Sequence, residues 1–214
     1  MKIHAVLFAL VLTIANQINA QTDHEGKIYP TVKIGQQVWM SENLSTGMFS
    51  NGDPIPEAKT EEEWVKAGEA GKPAWMAVPA DANLGETAGK LYNGFTVTDP
   101  RGLAPKGWHI PTDEEWNNLA GSLGGKEAAT LKLKSKTGWT EGAEGTNESG
   151  FNGLPAGKIT PDGYAEDYIY FGFWWSNTPD EEFQKNRNLD SENYPFDSAS
   201  SFRQAGLSVR CVKD

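Results

Sequence analysis

Few side chains in this sequence are equipped for covalent or proton-transfer chemistry. Cys211 is its only cysteine, so no intramolecular disulfide can form. Leu207, Val209 and Cys211 alternate along what reads as a strand. That spacing turns the thiol inward, where a cysteine acts as a small hydrophobe and not as a nucleophile. His24 lies in a polar lead-in, and His109 stands between Trp108 and Ile110. No G-x-S-x-G or comparable frame surrounds any serine, so the parts of a hydrolase triad are not assembled. His109 is therefore read as a hydrogen-bonded structural residue. Outside the first twenty residues the chain has only these two histidines and one cysteine, a poor fit to zinc, whose usual sites take three or four such ligands.

Oxygen ligands are plentiful. Glu141, Glu144, Glu148, Asp162, Glu166 and Asp167 offer pairs of the kind secreted glycosidases use, but nothing in their spacing singles out one pair. Glu144, Asn147 and Glu148 fall close together in a loop, and Ca²⁺ takes its six to eight oxygens from such groups. No cofactor is expected, calcium being the exception these three residues would allow. Between Phe173 and Arg203 the chain carries Asn177, Arg187, Tyr194, Phe196, Phe202 and Arg203 amid Asn and Ser. Aromatics and Arg among small polar residues are what recognition loops use. Asn177, Arg187, Tyr194, Phe196, Phe202 and Arg203 are thus the candidate ligand-binding residues, and Glu144, Asn147 and Glu148 the candidate metal ligands.

Charge and length narrow the partners. Lys2, an apolar run from Ala5 to Ile14, and Asn19-Ala20 before the polar Gln21 make the pattern of a secretory signal peptide cleaved after Ala20. The apolar run is shorter than the roughly 20 residues of a spanning helix, and no other stretch approaches it. No cysteine adjoins the cleavage point, so a lipid anchor is not indicated. Residues 1–20 carry Lys2 and no acid, so the rest holds 18 basic and 29 acidic side chains, a net charge of −11 against −10 for the whole chain. Such a surface repels phosphate backbones and anionic membranes, which argues against nucleic acid as a partner. The product is expected to be exported, to the periplasm, the cell surface or beyond. It would comprise a short flexible lead-in over 21–26 and one domain over 27–214, long enough for a sizeable core.

Several elements must position those residues. Ile28, Pro30, Val32 and Ile34, then Gly35-Gln36, then Val38 and Met40 predict a β-hairpin, with Trp39 on the face opposite Val38. Residues 45–56 read as loop. Thr60 and Glu63 predict a capped helix that Gly68 and Gly71 stop. Residues 72–90 look irregular, and 90–97 extended. Thr112 and Glu115 form a second capping box, with Trp116 and Leu119 facing inward, and 126–134 suggest another helix. From Phe151 the text turns β-like, over 151–155, 157–160 and 164–173. Trp174 to Thr178 should be a strand covered on both faces. Residues 179–200 read as polar excursions, and 205–213 as the last strand. Short strands with two or three helices predict an α+β fold.

The most determined stretch is Asp99 to Leu119, DPRGLAPKGWHIPTDEEWNNL. Within it, KGWHIPTDEEW resembles the G-W-[HR]-[VIL]-P-T-[DE]-x-E-W signature of the Fibrobacter succinogenes major paralogous domain (FISUMP) family. It is more distantly similar to the formylglycine-generating, sulfatase-modifying proteins. VKIGQQVWMSENL, GKLYNGFTVTDPRGLAP, TNESGFNGLPAG, FWWSNT and GLSVRCVKD also resemble that family, in its order, over about residues 26 to 214. The resemblance implies a C-type-lectin-like fold: short twisted antiparallel sheets, short helices and long loops, with the loops joining the late strands as the ligand face.

The chain departs from its distant relatives where their chemistry lies. The formylglycine-generating proteins need a pair of reactive cysteines, and Cys211 stands alone. Sugar-binding C-type lectins hold calcium with E-P-N or Q-P-D and a W-N-D stretch. Trp175-Ser176-Asn177 only echoes the last of these. The expectation is a secreted or surface, non-enzymatic binding module that takes an extracellular or envelope glycan or protein through 177–203. The alternatives are a polysaccharide-active hydrolase and a structural envelope protein.

Overall fold

The computed structural model describes residues 20–214, so the signal peptide read over 1–20 lies, Ala20 apart, outside the described residues. Strand β1 (Ala20–Thr22) pairs antiparallel with β2 (Ile28–Ile34), setting Gln21 opposite Tyr29. Residues 21–26 are thus not the loose lead-in expected of them. The Asp23 carboxylate accepts from the backbone N–H groups of Glu25 and Lys27 and from the Tyr29 hydroxyl, 2.7 Å away. Such side-chain bonds close a turn locally. The predicted hairpin forms between β2 and β3 (Gln37–Met40), with Gly35 at φ 60° in its turn.

Helix α1 (Glu61–Glu69) starts at Thr60, whose hydroxyl accepts from Glu63 N, but the Glu63 carboxylate accepts from Lys59 N instead of completing the box. The helix runs through Gly68 and stops before Gly71, at φ 61°. In the supposedly irregular 72–90, β4 (Trp75–Ala77) pairs with β5 (Lys90–Asn93). The strand expected over 90–97 ends at Asn93, whose side chain accepts from Thr96 N and caps the four-residue α2 (Gly94–Val97). Two residues make β6 (Trp108–His109). Helix α3 (Asp113–Ser122) has its capping box complete, Thr112 Oγ1 accepting from Glu115 N and Glu115 Oε2 from Thr112 N. Helix α4 (Lys126–Leu133) follows.

Residues 151–155 are loop, and the short β7 (Lys158–Ile159) and β8 (Ala165–Glu166) form a hairpin. The main correction comes next. Residues 179–200 are not free excursions: β9 (Phe171–Asp180), β10 (Phe183–Asp190) and β11 (Ser198–Phe202) make an antiparallel three-stranded sheet. The last segment splits into β12 (Gly206–Leu207) and β13 (Val212–Lys213).

Two further sheets run in the orders β1-β2-β3-β13-β6 and β4-β5-β12-β7-β8. The fold is therefore mixed, with mostly antiparallel sheets and a few short helices. Residues 206–213 hold it together, giving a strand to each five-stranded sheet and a bridge from Ser208 to Trp174 of the third. Trp174 and Trp175 are both fully buried, as a run needing cover on both faces must be. Trp175 packs with Tyr92, Leu207, Val209 and Cys211, and Trp174 with Trp39, Trp116 and Phe151. The rings of Trp39 and Trp116 lie 4.7 Å apart, and Phe151 meets both edge-on. Burial pushes the Cys211 thiol up to about 12, which keeps it protonated and inert. Among the described residues no helix is long and apolar enough to cross a membrane.

Candidate functional site

The sheet β9-β10-β11 separates the six candidate binding residues. Arg187 and Phe196 are fully buried, which takes both off any ligand face. Arg187 Nη2 donates to Asp113 Oδ1 (2.6 Å), Asp113 O and Asn117 Oδ1, so its charge is spent inside. Phe196 packs edge-on against Trp116. Tyr194 is exposed, its backbone bonded to Asp190 and to Thr130 of α4. Phe202, also exposed, lies tilted against Phe183, ring centres 4.8 Å apart, across β10 and β11. Arg203 lies over the Phe95 ring and donates from Nη2 to Thr98 Oγ1 at 2.5 Å.

Thr98 and Asn177 meet at a cleft of about 530 Å³. One wall is the stretch 97–110, including Thr98, Asp99, Lys106, Trp108 and His109, and Ser50 and Asn177 come from elsewhere in the chain. The turns in that wall are fixed by the sequence. Asp99 takes Arg101 in a two-pronged bond, 2.8 and 2.9 Å, and also accepts from Arg101 N. The guanidinium holds the Asp99 carboxyl below its usual range, and itself lies over Phe49. Gly102 and Gly107, at φ 76° and 81°, make turns that residues with a Cβ resist. Trp108 is nearly buried and donates from Nε1 to Gln21 Oε1.

His109 is bonded on both sides: Nδ1 lies 2.7 Å from Asp214 Oδ1, and Nε2 2.7 Å from Glu115 Oε1. Burial alone would pull its pKa down, but the two carboxylates outweigh this and raise it. Burial likewise pushes Glu115 up, and the bonds from Thr112 and His109 overcome it, leaving its pKa lowered. The imidazolium's contribution to stability is thus present below its ordinary value near 6.5 and is lost as pH rises through the raised one. That of Glu115 is present above its unfolded value and is lost as pH falls through the depressed one. Between the two, at about pH 4.5–6.5, the clamp is at full strength. The Tm advantage of the natural protein over His109→Gln should be larger at pH 5.5 than at pH 8.5. Equal advantages at both would show that the imidazole is not charged here.

The proposed calcium ligands Glu144, Asn147 and Glu148 lie in the loop that follows α4. Asn147 Oδ1 accepts from Asn152 N at 2.9 Å, and Glu144 and Glu148 are exposed. Among the described residues no group of three or more His, Cys, Asp or Glu side chains is placed to hold a metal ion. The sequence reading missed the cleft residues Ser50, Thr98 and Lys106. The signal for Thr98 and Lys106 is the density of Pro and Gly turns in DPRGLAPKG, and Ser50 has no local signal. No curated protein and no solved structure matches this chain. The family model of the Fibrobacter succinogenes major domain matches residues 32–213, spanning most of the hairpin, the cleft wall and the final strands, and the chain belongs to that family.

Proposed function

We propose that this protein is a non-enzymatic binding module, exported and lectin-like in fold, that takes an extracellular or envelope glycan or protein at the cleft between 97–110 and Asn177. One observation carries the reading: the motif segment walls a concave site that Asn177 reaches from β9, with Arg203 tethered to the cleft residue Thr98. Small polar, aromatic and cationic groups around a preformed hollow suit recognition. The one imidazole on the wall has both nitrogens committed to carboxylates, which favours recognition over proton transfer.

The test is an array of glycans and surface proteins probed with residues 21–214, with and without chelator. For a ligand captured there, Lys106→Ala and Asn177→Ala should each weaken binding about fivefold to thirtyfold, as central contacts do. Both side chains are exposed, so Tm should stay within a degree or two. Capture that both variants leave intact would remove the cleft from consideration. Reducing-end release from a glycan would replace the binding module with a hydrolase. Loss of capture with chelator would make calcium part of the site.

A further inference from the structure

A second concavity lies between the β2–β3 turn and the outer face of α3. It measures about 490 Å³ and is lined by Gln36, Gln37, Asn117, Asn118, Gly121 and Ser122. The lining is entirely carboxamide, hydroxyl and glycine, with neither a charged nor an apolar side chain.

Two of these amides are held in fixed orientations. Gln37 donates from Nε2 to the Glu115 carbonyl at 3.2 Å. A carbonyl only accepts, so the bonded atom must be the nitrogen, and Oε1 is the free end. That oxygen is buried and accepts from no group among the described residues. Asn117 accepts at Oδ1 from Arg187 Nη2 at 3.0 Å. A guanidinium only donates, so the free end here is the Nδ2 amine, with no acceptor among the described residues. Ser122 Oγ donates to Asn118 O and keeps its lone pairs free. The groove is also pre-formed: Gly35 sits at φ 60°, and a Cβ there would lie 2.2 Å from Ser122 Oγ, so turn and helix are in direct contact.

We propose that this groove binds a neutral glycan, independently of the cleft described above. At its surface it presents the oriented Asn117 amine, the exposed Gln36 and Asn118 amides and the Ser122 hydroxyl, and sugar hydroxyls both donate and accept. An anion would need a cation, and the nearby Arg187 is buried and committed to Asp113. A peptide would need apolar hollows for its side chains, which this lining lacks.

The test is NMR of the ¹⁵N-labelled protein, reading the side-chain NH₂ signals of Gln37 and Asn117. The probes are cellotetraose, xylotetraose and maltotetraose, with tetragalacturonate and tetraglycine amide as charged and peptide counterparts. At least one neutral tetrasaccharide should shift both signals saturably. Ser122→Ala should weaken that binding about fivefold, the worth of one neutral hydrogen bond, while Asn177→Ala leaves it unchanged. The proposal is overturned if no neutral sugar moves these signals, if only tetragalacturonate or the peptide does, or if Ser122→Ala binds as well as the natural protein. Should that variant not fold, the natural protein's own signals decide.

Discussion

Asn43→Ala is expected to destabilise the protein by about 3–5 kcal/mol, the usual cost of stranding a buried charge. Asn43 is fully buried, and its Oδ1 accepts from Trp174 Nε1 (2.9 Å), Arg210 Nε (3.2 Å) and Arg210 Nη2 (2.7 Å). Its Nδ2 donates to Ala88 O and Ser208 Oγ. Arg210 is equally buried, has no carboxylate within ion-pair distance among the described residues, and gives its remaining bonds to the carbonyls of Met40 and Phe151. Burial draws its guanidinium down to about 9, which still leaves it charged at neutral pH. One carboxamide therefore solvates a buried cation and an indole N–H, and joins the hairpin end to β9 and to the last segment. Alanine leaves Trp174 Nε1, Arg210 Nε and Arg210 Nη2 without that acceptor. Urea unfolding of the two proteins measures the effect. A loss below about 1 kcal/mol would mean that water replaces the amide and that the site is less enclosed than its burial indicates.

Asp113→Ala should cost a similar amount, about 3–5 kcal/mol, through a second buried cation, Arg187. Asp113 opens α3, and its Oδ1 accepts from Arg187 Nη2 at 2.6 Å and from Ser198 Oγ at 2.9 Å. Arg187 already lacks partners for Nε and Nη1 among the described residues, so the carboxylate is its main compensation. The discriminating variant is Asp113→Ala combined with Arg187→Met. Replacing both members of a buried pair with apolar groups is often neutral, so the double variant should unfold at higher urea than Asp113→Ala alone. If it unfolds lower, the loss comes from the helix start and not from the stranded guanidinium.

These two cations also show where sequence reading reaches its limit. The hairpin, both helix starts and the doubly covered Trp174-Trp175 run were legible, because alternation, capping boxes and apolar runs are local signals. The strands β10 and β11 were not. Gln184, Asn186, Arg187 and Asn188 have the composition of a loop, and become strand only through pairing with β9 and bonds such as Gln184 Nε2 to the Ser176 carbonyl. Strand preference depends on the pairing surface more than on the residue, so an Arg whose partner lies 74 positions away looks exposed in the text. The binding candidates were chosen for residue type, and that rule cannot distinguish the buried Phe196 from the exposed Phe202. Strand β5 was overrun for the opposite reason: Leu91 to Val97 looks uniformly extended unless Asn93 is recognised as a cap. Gln36-Gln37 and Asn117-Asn118 were visible as amide doublets, but their meeting depends on Gly35 against Ser122, which no local pattern announces.

The placement of β12 and β13 has a consequence for the order of assembly. β5 and β7 reach each other only through β12, and β3 and β6 only through β13. A ribosome delivers these connecting strands after nearly everything they join. Until then the earlier strands present open edges, the kind of surface that pairs with stray chains. Closure is thus a late, long-range event, of the sort that slows folding. A nascent chain of this topology cannot complete either five-stranded sheet until residues 206–213 have emerged.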